Sequence, residues 1–257
     1  MINKIFRLLF KRKISRRKIT KSFNTLQSKT DPRDYHPIFT KSAISPSKYK
    51  IHSLPPIRHQ SSIGSCASHA VIRAYEIQDS IQNNYMEGSE LFHYYIARTE
   101  INNTFPKDNG MSIRDSCKAI KLYGMALETF WKYDVKKYNT KPNWISYFVA
   151  GFNKVNKYER LFTIEEIKSS LKRNVPVICG VWIDNEYFKL SKNNYIWIPK
   201  GIKRGGHAQT IVGYNDETKR LIIDNSWGKS WGLNGEYEIS YLDFKKISFD
   251  WFRIIIN

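Results

Sequence analysis

A cysteine at a helix start, a histidine at a sheet rim and an asparagine at a strand end are the residues of this chain whose types and placement could do chemistry together. Cys66 stands in RHQSSIGSCASHA, after a small-residue turn and in the first turn of a predicted helix. Unpaired backbone N–H groups and aligned peptide dipoles at such an end stabilise a thiolate and lower its pKa. A cysteine nucleophile also needs an imidazole within about 3 Å to take its proton and later return it to a leaving group. The chain has six histidines, His36, His52, His59, His69, His93 and His207. His69 lies one helix turn beyond Cys66, a poor station for a base that must face substrate. His207 follows Gly205-Gly206 and opens the apolar strand AQTIVGY, so it can point from a sheet rim across a cleft. Asn225 ends the next strand, LIIDN, where its side-chain carbonyl could accept from the far imidazole nitrogen and fix the ring, with Trp227 covering that contact from water. The competing reading of each residue alone is a packed cysteine, a turn asparagine and a core tryptophan.

The elements that must position them follow from periodicity. Ala67, Ala70, Val71, Ala74 and Ile77 recur at three- and four-residue steps, which predicts a helix over 65–82 with a small-residue face. Further helices are predicted at 89–98, at 112–123 between Asn109-Gly110 and Gly124, and from Ile164 onward, where Thr163 precedes Glu165 and Glu166 and the segment ends in Lys172 and Arg173. The aromatic, proline-punctuated stretch 131–152 reads as a covering connection. Short β-branched or aromatic runs at 175–182, 195–198, 208–214, 220–225, 235–240 and 249–256 predict an antiparallel sheet or barrel. A helical half, about 60–150, therefore precedes a strand half, about 160–257. The Pro- and Ser-rich stretch 31–59 reads as an extended strap joined to the second half.

With 257 residues, 41% of them apolar, the chain can bury one substantial core or two small lobes, which excludes a disordered tail. Its 42 Lys and Arg against 23 Asp and Glu give +19, and the first thirty residues hold ten basic side chains and no acidic one. Residues 1–30 thus read as a basic leader or tail, able to hold an anionic surface of nucleic acid, lipid or acidic protein without specificity. Its apolar run, Ile5 to Phe10 interrupted by Arg7, is too short and too charged for a secretory core or a membrane span. The spacings of Cys66, Cys117 and Cys179 fit neither a zinc knuckle nor a disulfide framework, which favours a reducing compartment and no metal. A cytoplasmic or virion-associated location is the resulting expectation.

Three blocks in order resemble the papain-like cysteine peptidases: Gln60 to Cys66 (QSSIGSC), Gly206-His207-Ala208 with Val212-Gly213-Tyr214, and Asn225-Ser226-Trp227-Gly228 followed by Trp231-Gly232. His207 lies 141 residues after Cys66 and Asn225 lies 159 after it, near the spacing of that family, for which papain is itself the standing example. The segments SELFHYYIAR, NGMSIRDSCKAIKLYGM and GEYEISYLDFKKISFDWFRI are similar to a bacterial, archaeal and large-virus branch rather than to the lysosomal enzymes. The likeness runs from about residue 31 to the C-terminus.

The resemblance implies an α+β, two-lobed fold: a helical left lobe led by the Cys66 helix, and a right lobe built round an antiparallel β-barrel carrying His207 and Asn225. It implies Cys66 as nucleophile, His207 as acid and base, Asn225 as its orienter supported by Trp227, and Gln60 with the Cys66 N–H as the oxyanion hole. Such an enzyme hydrolyses peptide bonds of protein or peptide substrates through a thioester, with no cofactor. The alternatives are acyl transfer to another nucleophile and a quiet peptide-binding or structural protein. Two positions depart from the family: Ile63 replaces a cysteine that secreted relatives use in a disulfide, which suits reducing conditions, and Ala67 replaces the aromatic that commonly follows the nucleophile.

Overall fold

The computed structural model describes residues 23–32, 34–37 and 46–256, so most of the basic leader, including Ile5 to Phe10, and part of the strap lie outside the described residues. Among the described residues the first element is a short strand β1 (Lys48–Lys50), then come α1 (Cys66–Ile81), α2 (Glu90–Ile96) running into a π turn at Ala97–Ile101, and α3 (Ile113–Tyr123). It continues through α4 (Trp144–Ala150), β2 (Lys157–Arg160), α5 (Ile164–Leu171), β3 (Val177–Ile183) and β4 (Ile196–Trp197). The last fifth holds β5 (Gly205–Asn215), β6 (Arg220–Asp224), β7 (Glu236–Ser240), α6 (Tyr241–Ile247) and β8 (Ser248–Ile255). Helices first and sheet second is the order that the periodicities predict.

Local chemistry accounts for most boundaries. Ser112 caps α3 by accepting from the Asp115 N–H at 3.1 Å, and Gly124, at φ 81°, ends it in a left-handed conformation that a side chain would resist. Thr163 and Glu166 form a reciprocal capping box at the start of α5. Two helices depart from expectation. In place of a plain covering connection, 144–150 is helical, started by Asn143, whose side chain accepts from the Ser146 N–H at 2.9 Å. Its aromatic and β-branched content hides the helix period, as it does in α6, which separates two strands and is capped by Ser240.

The sheet runs in the order β2-β8-β3-β5-β6-β7-β4, with β1 added to β5. All its pairings are antiparallel except the short β4–β7 pair, which is parallel. One core gathers α1, α2 and α3 around Val71, Phe92, Met111 and Ile120; the other lies on the sheet around Val181, Ile211, Tyr237 and Phe244. The alanine face of α1 lets it approach β5 closely enough for the Thr210 hydroxyl to donate to the Ala70 carbonyl at 3.1 Å. This is the papain-like α+β architecture with two lobes, and α1 and β5 form the seam between them. Among the described residues no helix is long and apolar enough to cross a membrane.

Residues 23–30, grouped with the leader by charge, lie against both lobes. The Thr25 N–H donates to the Gly206 carbonyl at 2.9 Å and the Leu26 N–H to that of Met111 at 3.2 Å. Farther on, the Ser28 N–H donates to Asp250 at 2.7 Å, and Asp34 pairs with Arg114 and with Arg160.

Candidate active site

Cys66 is the first residue of α1 and is fully buried. The turn that delivers it passes through Ser61 in the left-handed region, at φ 57°, and is held by the Gly64 N–H donating to Asp108 at 2.9 Å. Burial pushes the Cys66 thiol up, but the neighbouring His207 imidazole, a hydrogen bond with Thr25 and one with the Ala208 backbone outweigh it and bring the pKa down to about 7. Cys117 and Cys179, equally buried but without such partners, are pushed upward instead.

His207 sits on β5 opposite Val181 of β3 and is fully buried. Its Nε2 is 2.7 Å from Asn225 Oδ1. The Asn225 oxygen also accepts from the Ser226 backbone N–H at 2.8 Å, which fixes the amide orientation because that N–H can only donate. Nε2 therefore carries the ring proton, and Nδ1 keeps a lone pair for the thiol. In this conformation Nδ1 has no hydrogen-bond partner of good geometry, while Thr25 Oγ1 is 2.8 Å from the sulfur. The Trp227 ring lies 5.0 Å from the imidazole at 33°, and Tyr187 meets it edge-on at 6.0 Å, so the far side of the ring is walled by aromatics.

Gln60 is fully buried beside this group. Its backbone N–H donates to Ser226 O at 2.9 Å, and its side-chain oxygen accepts from the Ser226 hydroxyl at 2.6 Å, so Gln60 and the Asn225 turn are held as one unit. Gln60 Nε2 donates to Ile63 O at 3.1 Å. Tyr133 ties the segment to the turn before Cys66, donating to Gln60 O at 2.7 Å and sharing a 2.7 Å bond with the Ser65 hydroxyl. Two residues earlier, Arg58 is held by Glu90 at 2.8 Å, by Glu76 and by the Gly88 carbonyl at 2.7 Å.

Cys66, His207, Asn225, Gln60 and Trp227 are thus brought together. His69 is not part of the group: its Nδ1 lies 3.1 Å from Ser65 O, and burial drives its pKa down to about 3, so it stays neutral. Sequence reasoning missed Thr25, Tyr133 and Ser226. Ser226 lies inside a quoted motif, whereas Thr25 and Tyr133 sit in segments with no local pattern to mark them. Among the described residues no cluster of His, Cys, Asp or Glu could hold a metal ion.

The two-lobed architecture is that of a cysteine peptidase. The chain belongs to the papain family: residues 44–246 match the family described as papain family cysteine protease. It is 33% identical to the uncharacterized peptidase C1-like protein L477 of Acanthamoeba polyphaga mimivirus, over 87% of this chain and 82% of that one. Xylellain, a cysteine protease of Xylella fastidiosa, superposes with a TM-score of 0.82 at 26% identity, covering 93% of this chain and 97% of that one. The Carica candamarcensis cysteine protease CMS1MS2, solved in complex with E-64, shares the fold with a TM-score of 0.63 at 20% identity over 82% of this chain and 99% of that one.

Proposed function

We propose that this peptidase hydrolyses peptide bonds of protein substrates with Cys66 as nucleophile, His207 as acid and base, and Asn225 as the group that orients His207. The observation that carries the reading is the 2.7 Å Asn225–His207 bond, which leaves Nδ1 for a thiol whose pKa is already drawn down to about 7. The Cys66 thiolate attacks the scissile carbonyl, and its C–O π pair moves onto oxygen. The Cys66 N–H and Gln60 Nε2 receive that oxyanion. The imidazolium of His207 gives its proton to the departing amine. Water, deprotonated by the same nitrogen, then opens the thioester and restores the thiol.

In the described conformation residues 23–27 fill the cleft, so hydrolysis requires them to leave. Thr25 presents a hydroxyl to the sulfur rather than a carbonyl, and its own carbonyl is packed on Gly206, where an added Cβ would come within 2.1 Å of it. The segment therefore occupies the site without offering a scissile bond to it. The three free, buried cysteines suit work in a reducing cytoplasm or in a virion assembled there.

The test is intact-mass labelling by an epoxysuccinyl peptide inhibitor, together with casein hydrolysis, on protein lacking residues 1–27. One adduct is expected, absent from Cys66→Ala and much slower on His207→Ala. Casein cleavage by Cys66→Ala at the parent rate would overturn the assignment, and joined rather than hydrolysed product masses would assign acyl transfer instead.

A further inference from the structure

We infer that Trp144, Phe148 and Phe152 form a docking surface for an anionic lipid bilayer. These side chains are 74%, 62% and 75% exposed, far beyond what a seven-residue helix with a core to cover would leave out. Steps of four residues put them on one face of α4 and its C-terminal turn. Their rings stand in a row, Trp144 to Phe148 at 6.5 Å and Phe148 to Phe152 at 5.1 Å. The opposite face of α4 already supplies the packing: Ser146 and Ala150 are fully buried, and Tyr147 meets Phe92 edge-on at 5.3 Å. The three exposed rings are therefore surplus to the core, and a contiguous apolar patch of this kind on a protein surface marks an interaction site.

Charge selects the occupant. Residues 129–157 contain six lysines and one acidic residue, Asp134. Exposed Lys141 and Lys154 bracket the three rings in sequence. A second copy of the chain would bring another +19, and the leader another ten basic side chains with no acid, so both are repelled from this face. The partner is anionic. Between an acidic protein and an anionic bilayer, the ring geometry favours the bilayer. Protein hot spots seat in pockets, whereas a projecting ridge with a Trp at one end and exposed lysines on either side of it in the chain fits the headgroup boundary, rings toward the acyl chains and ammonium groups among phosphates. No described helix can cross a membrane, so the attachment is to its surface.

The test uses the full chain, so that the leader's own attraction is the same in every arm. Wild type and Trp144→Ser/Phe148→Ser/Phe152→Ser are floated with phosphatidylcholine vesicles, with and without about one third phosphatidylserine. The wild type should float with the anionic vesicles, and the triple variant should bind about tenfold more weakly or worse. Brominated lipid should quench wild-type tryptophan fluorescence and lose that quenching in Trp144→Phe, a variant whose folding is not in question. Equal vesicle binding by wild type and triple variant, or quenching that survives Trp144→Phe, overturns the proposal. So does failure of the wild type to float, which would point to an acidic protein. A wild-type dimer that the triple variant dissolves also overturns it, giving the face to a second copy. Equal inhibitor labelling of wild type and triple variant confirms that the active-site fold is unchanged.

Discussion

Thr25 Oγ1 lies 2.8 Å from Cys66 Sγ, although 41 residues separate them in the chain. Its own N–H is bonded to Gly206, the neighbour of His207, so a single threonine touches the Cys66 sulfur and the strand that carries His207. The segment is fastened on the far side as well, where Asp34 takes Arg114 and Arg160, and Asp250 takes the Ser28 N–H and Arg160. Residues 23–27 hence fill the cleft while 28–34 act as their anchor.

Removing residues 1–27 should accordingly uncover the thiol while leaving the anchor in place. We expect inhibitor labelling at least about tenfold faster than in the full chain, where access and not chemistry is limiting. Equal rates in a time course followed by intact mass would mean that the segment leaves the cleft freely.

The thiol titration gives a second outcome. Because its pKa is lowered to about 7, the thiolate fraction rises as pH rises through 7 and is lost below it. The ultraviolet thiolate absorbance of wild type minus Cys66→Ala should show that inflection. Cys117 and Cys179 do not contribute, because burial pushes both upward. Thr25→Val removes one hydrogen bond to the sulfur and should move the inflection to higher pH. An unmoved inflection would show that Thr25 does not stabilise the anion.

Acid stability supplies a third. His93 is buried with Nδ1 at 3.0 Å from Ser68 and Nε2 at 3.0 Å from Ser116 O, and burial lowers its pKa from 6.5 to about 4. A base with a depressed folded pKa is neutral in both states above 6.5 and costs nothing there. As pH falls from 6.5 to about 4 the unfolded chain takes up a proton that the folded one refuses, so stability is lost. His93→Gln should remove that share, flattening the pH slope of urea-unfolding stability by about 1.4 kcal/mol per pH unit across the window. Identical slopes would mean that His93 protonates in the folded state.

The three residues of the proposed site could be picked out because each sits in a short motif whose chemistry is local: a helix start for Cys66, a glycine-opened strand for His207, a strand end for Asn225. The alternation and small-residue periods likewise placed α1 and most of the sheet. Thr25, by contrast, is meaningful only through its apposition to Gly206 and Cys66, which no local pattern encodes. Tyr133 reads as one aromatic among many in 131–152, and its bonds to Gln60 and Ser65 exist only once two distant segments meet. In α4 the aromatic run masks a helix because rings face both the core and solvent, so no single period of hydrophobicity remains.

Arg73 joins the two halves of the site. It stands on α1, two turns beyond Cys66, and grips Asp224 with Nε at 3.0 Å and Nη2 at 2.8 Å, immediately before Asn225. Asp224 is 2% exposed and Arg73 11%, so cutting Arg73 to Met strands a buried carboxylate and should cost about 3 kcal/mol in urea unfolding. Replacing both, as Arg73→Met with Asp224→Leu, removes the stranded charge and should recover most of that loss, since packed apolar groups substitute well for a buried pair. Activity should not follow stability. Without the bridge, α1 loses its ion pair to the residue before Asn225, so kcat of the double variant should stay about tenfold low while KM is little changed, because the fault lies in the orientation of His207 and not in substrate binding. Recovery of kcat along with stability would make Arg73 a purely structural residue. A persistent kcat defect in a protein of restored stability would make it a positioning residue for the acid and base.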